Sequence, residues 1–150
     1  MMKELTKVLA IAFIAISTIS CGSSDDGPDQ TKPTVDVKTP TADQAFNRGE
    51  NLPLNALFKD NNALKNCIVS LSYNEATPAG SATLKGISLP WTPNDATIEL
   101  SGKSVTKDLT NIFATPIEGT CKSGSYTLTF IVEDQAGNKS DPLKVSIMIN

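Results

Sequence analysis

The sequence predicts an all-β fold, an antiparallel β-sandwich of about seven or eight strands spanning residues 33–150. Three observations predict it. Apolar residues recur at every second position in one segment after another, as strands with a single buried face require. Turn-forming clusters separate these segments: Asn47-Arg48-Gly49, Asp60-Asn61-Asn62, Ser101-Gly102-Lys103 and Ala136-Gly137-Asn138. No stretch after residue 33 sustains the 3.6-residue apolar period of an amphipathic helix.

The first strand is expected over 34–39, where Val35 and Val37 alternate with polar neighbours until Thr39-Pro40, whose proline has no N–H to continue a ladder. A second, over 51–58, puts Leu52, Leu54, Ala56 and Phe58 on one face. A third, over 66–73, turns Cys67, Val69, Leu71 and Tyr73 inward. A short strand near 82–87 and strands over 96–101 and 104–109 follow. Tyr126, Leu128, Phe130 and Val132 define the strand 125–133, and Leu143, Val145, Ile147 and Ile149 define 143–149. About 118 residues of this kind suffice for one domain with one core.

The chain before residue 33 has a different character. Lys3 and Lys7 precede the apolar run Val8–Ile16, and the small polar residues Ser17, Thr18 and Ser20 end it. A basic start, a short apolar run and small residues predict an export signal over 1–20. The run is too short for a bilayer-spanning helix, which needs about 20 apolar residues. Gly22-Ser23-Ser24-Asp25-Asp26-Gly27-Pro28-Asp29 carries no apolar side chain that could join a core, so 21–32 is expected to be a flexible tether.

Cys21 stands at the seam between these two stretches. Thr18-Ile19-Ser20-Cys21 resembles the box of a bacterial lipoprotein signal, although that box prefers Leu where Thr18 stands. The resemblance implies that the Cys21 thiol receives a diacylglycerol, that cleavage precedes it, and that several acyl chains hold the protein on a membrane. One chain alone would hold only marginally. Ser24-Asp25-Asp26 resembles the acidic export signal of surface lipoproteins in Bacteroides-type bacteria, which implies a lipid-anchored place on the outer membrane, exposed at the cell surface.

Further resemblance lies in the domain. Gly124-Ser125-Tyr126-x-Leu128-x-Phe130-x-Val132-x-Asp134-x-Ala136-Gly137-Asn138 resembles the F strand and F–G turn of bacterial immunoglobulin-like domains, and Phe58-x-Asp60-Asn61-x-x-Leu64 resembles their B–C turn. With its lipoprotein start, the chain is similar to a family of Bacteroidetes lipoproteins that carry one immunoglobulin-like domain of unknown function. The resemblance implies an immunoglobulin-like or fibronectin type III-like sandwich, a fold that hosts many unrelated roles.

Composition narrows the partners. Without residues 1–20 the chain has 11 basic and 15 acidic residues, a net charge of −4, and no basic block. Nucleic acid is therefore not an expected partner. The chain has no histidine, so Ser–His and Cys–His nucleophile pairs and histidine-based zinc sites are absent. Ser101-Gly102-Lys103-Ser104 ends like a phosphate-binding loop, but Thr97 stands where the first glycine belongs and strands flank it. A hairpin turn is expected there.

Three constellations could carry function. Asp60, Asn62, Asp134 and Asn138 fall in two turns that share one end of an immunoglobulin-like sandwich, so their oxygens could converge on calcium. The competing reading is that these side chains cap their own turns by accepting from backbone amides. Cys67 and Cys121 are the two cysteines left once Cys21 is lipidated. Even parity in an exported chain favours a disulfide. Register opposes it, because about 23 Å of strand separates the ends where the two residues belong, and a bond needs Cα atoms within ~7 Å. Trp91 and Leu89 lie in an apolar segment that offers either a ligand surface, where a tryptophan stacks on sugars, or a flap whose indole fills the core. The expected function is a non-catalytic, lipid-anchored binding or adhesion module, possible partners being a glycan or a protein of an outer-membrane nutrient-uptake system. The alternative is a structural accessory subunit that binds only a partner protein.

Overall fold

The computed structural model describes residues 27–74 and 89–150. The expected signal peptide, Cys21, the acidic Ser24-Asp25-Asp26 and the strand near 82–87 lie outside the described residues. Within them the chain is all β, with eight strands: β1 (Thr34–Thr39), β2 (Gln44–Phe46), β3 (Leu54–Lys59), β4 (Leu64–Tyr73), β5 (Ala96–Glu99), β6 (Ser104–Leu109), β7 (Gly124–Asp134) and β8 (Leu143–Ile149). They form two sheets, a three-stranded one in the order β1-β3-β6 and a five-stranded one in the order β2-β8-β7-β4-β5.

The alternating runs bury the faces expected of them. Leu54, Ala56 and Phe58 from one sheet, with Leu52 just ahead of β3, meet Cys67, Val69, Tyr126, Leu128, Phe130 and Val132 from the other, all fully buried. Each large apolar side chain removed from water in this way contributes about 1.5–3 kcal/mol. β4 and β7 form the spine of the larger sheet, paired antiparallel from Leu64↔Asp134 to Tyr73↔Tyr126.

Three features depart from expectation. After Thr39 the chain leaves β3 and crosses to the other sheet, where β2 pairs parallel with β8 from Gln44↔Ile147 to Phe46↔Ile149. Ser101-Gly102-Lys103 is not a hairpin turn. β5 pairs with β4 in one sheet and β6 with β3 in the other, so this turn carries the chain between layers, with Gly102 at φ +74°. The irregular segment after β6 also belongs to the core: Ile112, Phe113, Ile117 and Cys121 are all buried. It is held by Ile112 N–H donating to Leu52 O at 2.7 Å and Ile117 N–H donating to Glu50 O at 2.9 Å.

Candidate metal centre

Antiparallel pairing decides which residues meet at each end of the sandwich. Thr34 opposite Lys59 places the entry to β1 beside the exit from β3, and Leu64 opposite Asp134 places the start of β4 beside the end of β7. Three carboxylates gather there. Asp29 precedes β1, Asp60 follows β3 and Asp134 closes β7, each offering one oxygen within 4.8 Å of the other two.

Asp134 occupies the next inward position after Tyr126, Leu128, Phe130 and Val132, and is itself 0% exposed. A buried carboxylate needs donors or a cation to offset lost hydration. Asn138 supplies donors, its backbone N–H to Asp134 Oδ1 at 2.8 Å and its side-chain amide to Oδ2 at 2.7 Å. Gly137, at φ +90°, makes the tight turn that brings Asn138 back. The neighbouring loop is stitched on by Gln135 N–H donating to Ala63 O at 2.8 Å.

Turn capping accounts for only half of the remaining carboxylate oxygens. Asp60 Oδ2 accepts from Asn62 N–H at 2.9 Å, and Asp29 Oδ1 accepts from Thr31 N–H at 2.9 Å and from the Asn61 amide at 3.1 Å. The Thr31 bond, then the Asn61 bond, lower the Asp29 carboxyl below its ordinary pKa. Asp60 Oδ1 and Asp29 Oδ2 are buried with no hydrogen-bond partner among the described residues. Such oxygens, beside a third carboxylate, are what a bound cation would satisfy. All donors here are oxygen, the choice of a hard cation, and Ca–O distances of 2.3–2.6 Å put opposite ligands about 4.6–5.2 Å apart.

The sequence thus points to Asp60 and Asp134, and the structure brings them together. It gives Asn62 and Asn138 another part: through the groups named above they donate to the carboxylates. Asp29 escapes the sequence reading because its polar surroundings read as tether. The signal that could find it is the antiparallel pairing of β1 with β3, which sets the chain's entry next to Asp60. A polar cleft of about 560 Å³ opens between residues 27–31 and Asn61-Asn62.

The other candidates resolve differently. Cys67 and Cys121 are both buried free thiols. Cys67 pairs with Val132, whereas Cys121 sits near Tyr126, whose position on β7 is six residues, about 20 Å, away. The expected opposition of register therefore prevails over parity, and no disulfide joins them. Burial pushes the Cys67 thiol up to about 12, and burial also raises Cys121, opposed by Arg48.

Trp91 is a core residue, 3% exposed, and packs edge-to-face on Phe113 with centroids 5.3 Å apart. Its backbone N–H donates to Tyr126 Oη at 3.1 Å, and that hydroxyl donates to Lys122 O at 2.5 Å. The indole therefore fills the core, the second of the two readings of this segment. Leu89 remains outside, 73% exposed. Residues 91–97 and 112–118 border a shallow cleft of about 770 Å³ that includes Asn94, Asp95 and Glu118.

No curated protein matches the chain. Among solved structures, two of a β-glucosidase from Listeria innocua overlay on it weakly. The one in complex with glucose gives a TM-score of 0.35 at 18% identity over 77% of this chain, and the other gives 0.33 at 16% identity over 79%. The chain spans only 16% of the length of either enzyme. Residues 19–150 match the family described as a domain of unknown function, DUF4625, and the chain belongs to that family.

Proposed function

We propose that this protein is a lipid-anchored, calcium-binding β-sandwich module of the bacterial cell envelope, non-catalytic, which presents its loops to a partner on the cell surface. The observation that carries the calcium reading is the convergence of Asp29, Asp60 and Asp134, with two buried carboxylate oxygens that no donor among the described residues reaches. The anchoring half rests on Cys21 following an export-signal pattern and on the acidic residues after it. The strand order supports an immunoglobulin-like sandwich, because β2, β8, β7, β4 and β5 form one layer and β1, β3 and β6 the other.

The burial of Trp91 favours a protein partner over a glycan, since the chain's one tryptophan is spent on the core. The cleft beside residues 91–97 lies toward the sandwich end opposite the carboxylates, so a partner there would leave the cation undisturbed.

Calorimetric titration of the full chain in detergent with calcium tests the cation. A dissociation constant of about 10⁻⁴–10⁻³ M is expected, the range of extracellular modules. Asp134→Asn should abolish the heat while leaving a folded protein by circular dichroism. Absence of heat at millimolar calcium would remove the reading. Labelling with palmitate in a bacterial host tests the anchor, with incorporation expected in the wild type and none in Cys21→Ser.

A further inference from the structure

We infer that β5 is a docking edge, to which a partner protein adds an extended segment bearing basic residues four positions apart. The inference rests on the partner reading of the proposed function and deepens it, but owes nothing to calcium or to the anchor. β5 ends the larger sheet, with β4 on one side and no strand among the described residues on the other. Leu100 N–H donates to Lys65 O at 2.9 Å, continuing the register that runs from Val69↔Ala96 to Asn66↔Glu99. Antiparallel alternation therefore turns the backbone groups of Ala96 and Ile98 toward β4, and those of Thr97 and Glu99 outward. The outward N–H and C=O groups are the template on which a further strand pairs.

The other three edges are guarded. β1 and β6 carry Lys38 and Lys107, and a lysine on an edge deters pairing, while β2 has only three residues. β5 holds neither lysine nor proline. The cleft between residues 91–97 and 112–118 opens beside Thr97 and leaves room for an added chain.

Charge selects the occupant. Asp95, Thr97 and Glu99 are exposed on the outer face, whereas Ala96 and Ile98 turn toward the core. Glu118 adds a third carboxylate at the cleft, and no lysine or arginine lies in 89–101 or 110–121. Lys65, which attracts Glu99, is already paired with Glu133, and Lys122 stands over the Tyr73 ring. A second copy of this chain pairing about Thr97 would set Asp95 opposite Glu99 of that copy, and like charges directly opposite repel. A segment with lysine or arginine at i and i+4 meets both carboxylates instead. Its residues i+1 and i+3 then fall on the inner side beside Ala96 and Ile98, where apolar side chains fit.

Titration of a labelled peptide into the full chain in detergent, with hydrogen exchange on the same samples, tests this. The probe Ser-Lys-Val-Thr-Val-Lys-Ser should bind and slow exchange of the Thr97 and Glu99 amides by about tenfold or more. The Ile98 amide, already bonded to β4, should not change. Bringing the lysines together, as in Ser-Lys-Lys-Val-Thr-Val-Ser, should weaken binding, and so should Glu99→Lys. Thr97→Pro removes an outward N–H at a position where an edge strand tolerates proline, and should weaken binding about tenfold or more. A probe N-methylated at its threonine makes the same test without touching the fold. Equal affinity for Thr97→Pro and for the N-methylated probe would overturn the edge, as would a dimer of the peptide-free chain that Thr97→Pro dissolves. Protection at β1, β2 or β6 in place of β5 would also overturn it and leave the partner reading standing. No binding at any strand with millimolar peptide would overturn the edge together with the partner reading, while calcium heat and palmitate labelling judge the rest of the proposed function separately.

Discussion

The Asn138 side-chain amide bridges two distant parts of the chain, donating to the Asp29 carbonyl at 3.0 Å and to Asp134 Oδ2 at 2.7 Å. One residue of the β7–β8 turn therefore holds both the buried carboxylate and the segment before β1. Asn138→Ala should destabilise the protein by about 1–3 kcal/mol, because a buried carboxylate oxygen loses a donor. Urea unfolding in chelator measures this cost, and the deficit should shrink in calcium, which replaces the missing donor.

The two buried thiols have different neighbours and one shared property, inaccessibility. Neither Cys67 nor Cys121 should react with a disulfide-exchange reagent in the folded Cys21→Ser protein, since reaction needs an exposed thiolate. In denaturant, without reductant, two thiols should titrate. A count of zero would mean that the cysteines are bonded.

How much of this was legible in the residues follows from periodicity. Runs such as Tyr126–Val132 and Leu52–Phe58 announce their strands because one face is buried and the other is not. β2 covers three residues, too few for a period to show, and pairs through backbone groups that any sequence carries. Ile112, Phe113 and Ile117 enter the core from an irregular segment, where burial has no repeat to betray it. Closeness in sequence also misleads between 96 and 109, where neighbouring strands join opposite sheets. At the carboxylate site, the turns at Asp60 and Asp134 were readable from their turn chemistry. Asp29 was not, because composition describes a segment's own preferences and not the neighbours that strand pairing assigns to it.

Gly124 opens β7 at φ +136°, and a Cβ there would lie 3.2 Å from Cε2 and from the hydroxyl oxygen of Tyr73. The backbone conformation thus calls for glycine at this position, and a Cβ would also push the Tyr73 ring back by a few tenths of an ångström. Gly124→Ala should cost about 1–3 kcal/mol by chemical denaturation. Combining it with Tyr73→Ala should recover the part due to contact but not the part due to φ. Full recovery in the double variant would show that the backbone there is unstrained.

Alkaline lability should follow from groups that burial holds protonated. Burial pushes Cys67 from its ordinary 9.0 up to about 12, and burial likewise pushes Tyr126 from 10.0 up to about 12. Between pH 9 and 12 the unfolded chain has released the Cys67 proton while the folded chain retains it. The folded state then binds more protons, so stability falls as pH rises through this window. Tyr126 adds to the fall between pH 10 and 12. Below pH 9 neither group contributes any slope. Urea midpoints measured at pH 8, 9, 10 and 11 should therefore be level up to pH 9 and then decline. Cys67→Ala should be less stable at pH 8, through the lost packing of the sulfur, yet show a shallower decline above pH 9. Parallel curves for the variant and the wild type would place the alkaline loss elsewhere, and a Tyr126→Phe series over pH 10–12 would then isolate the tyrosine.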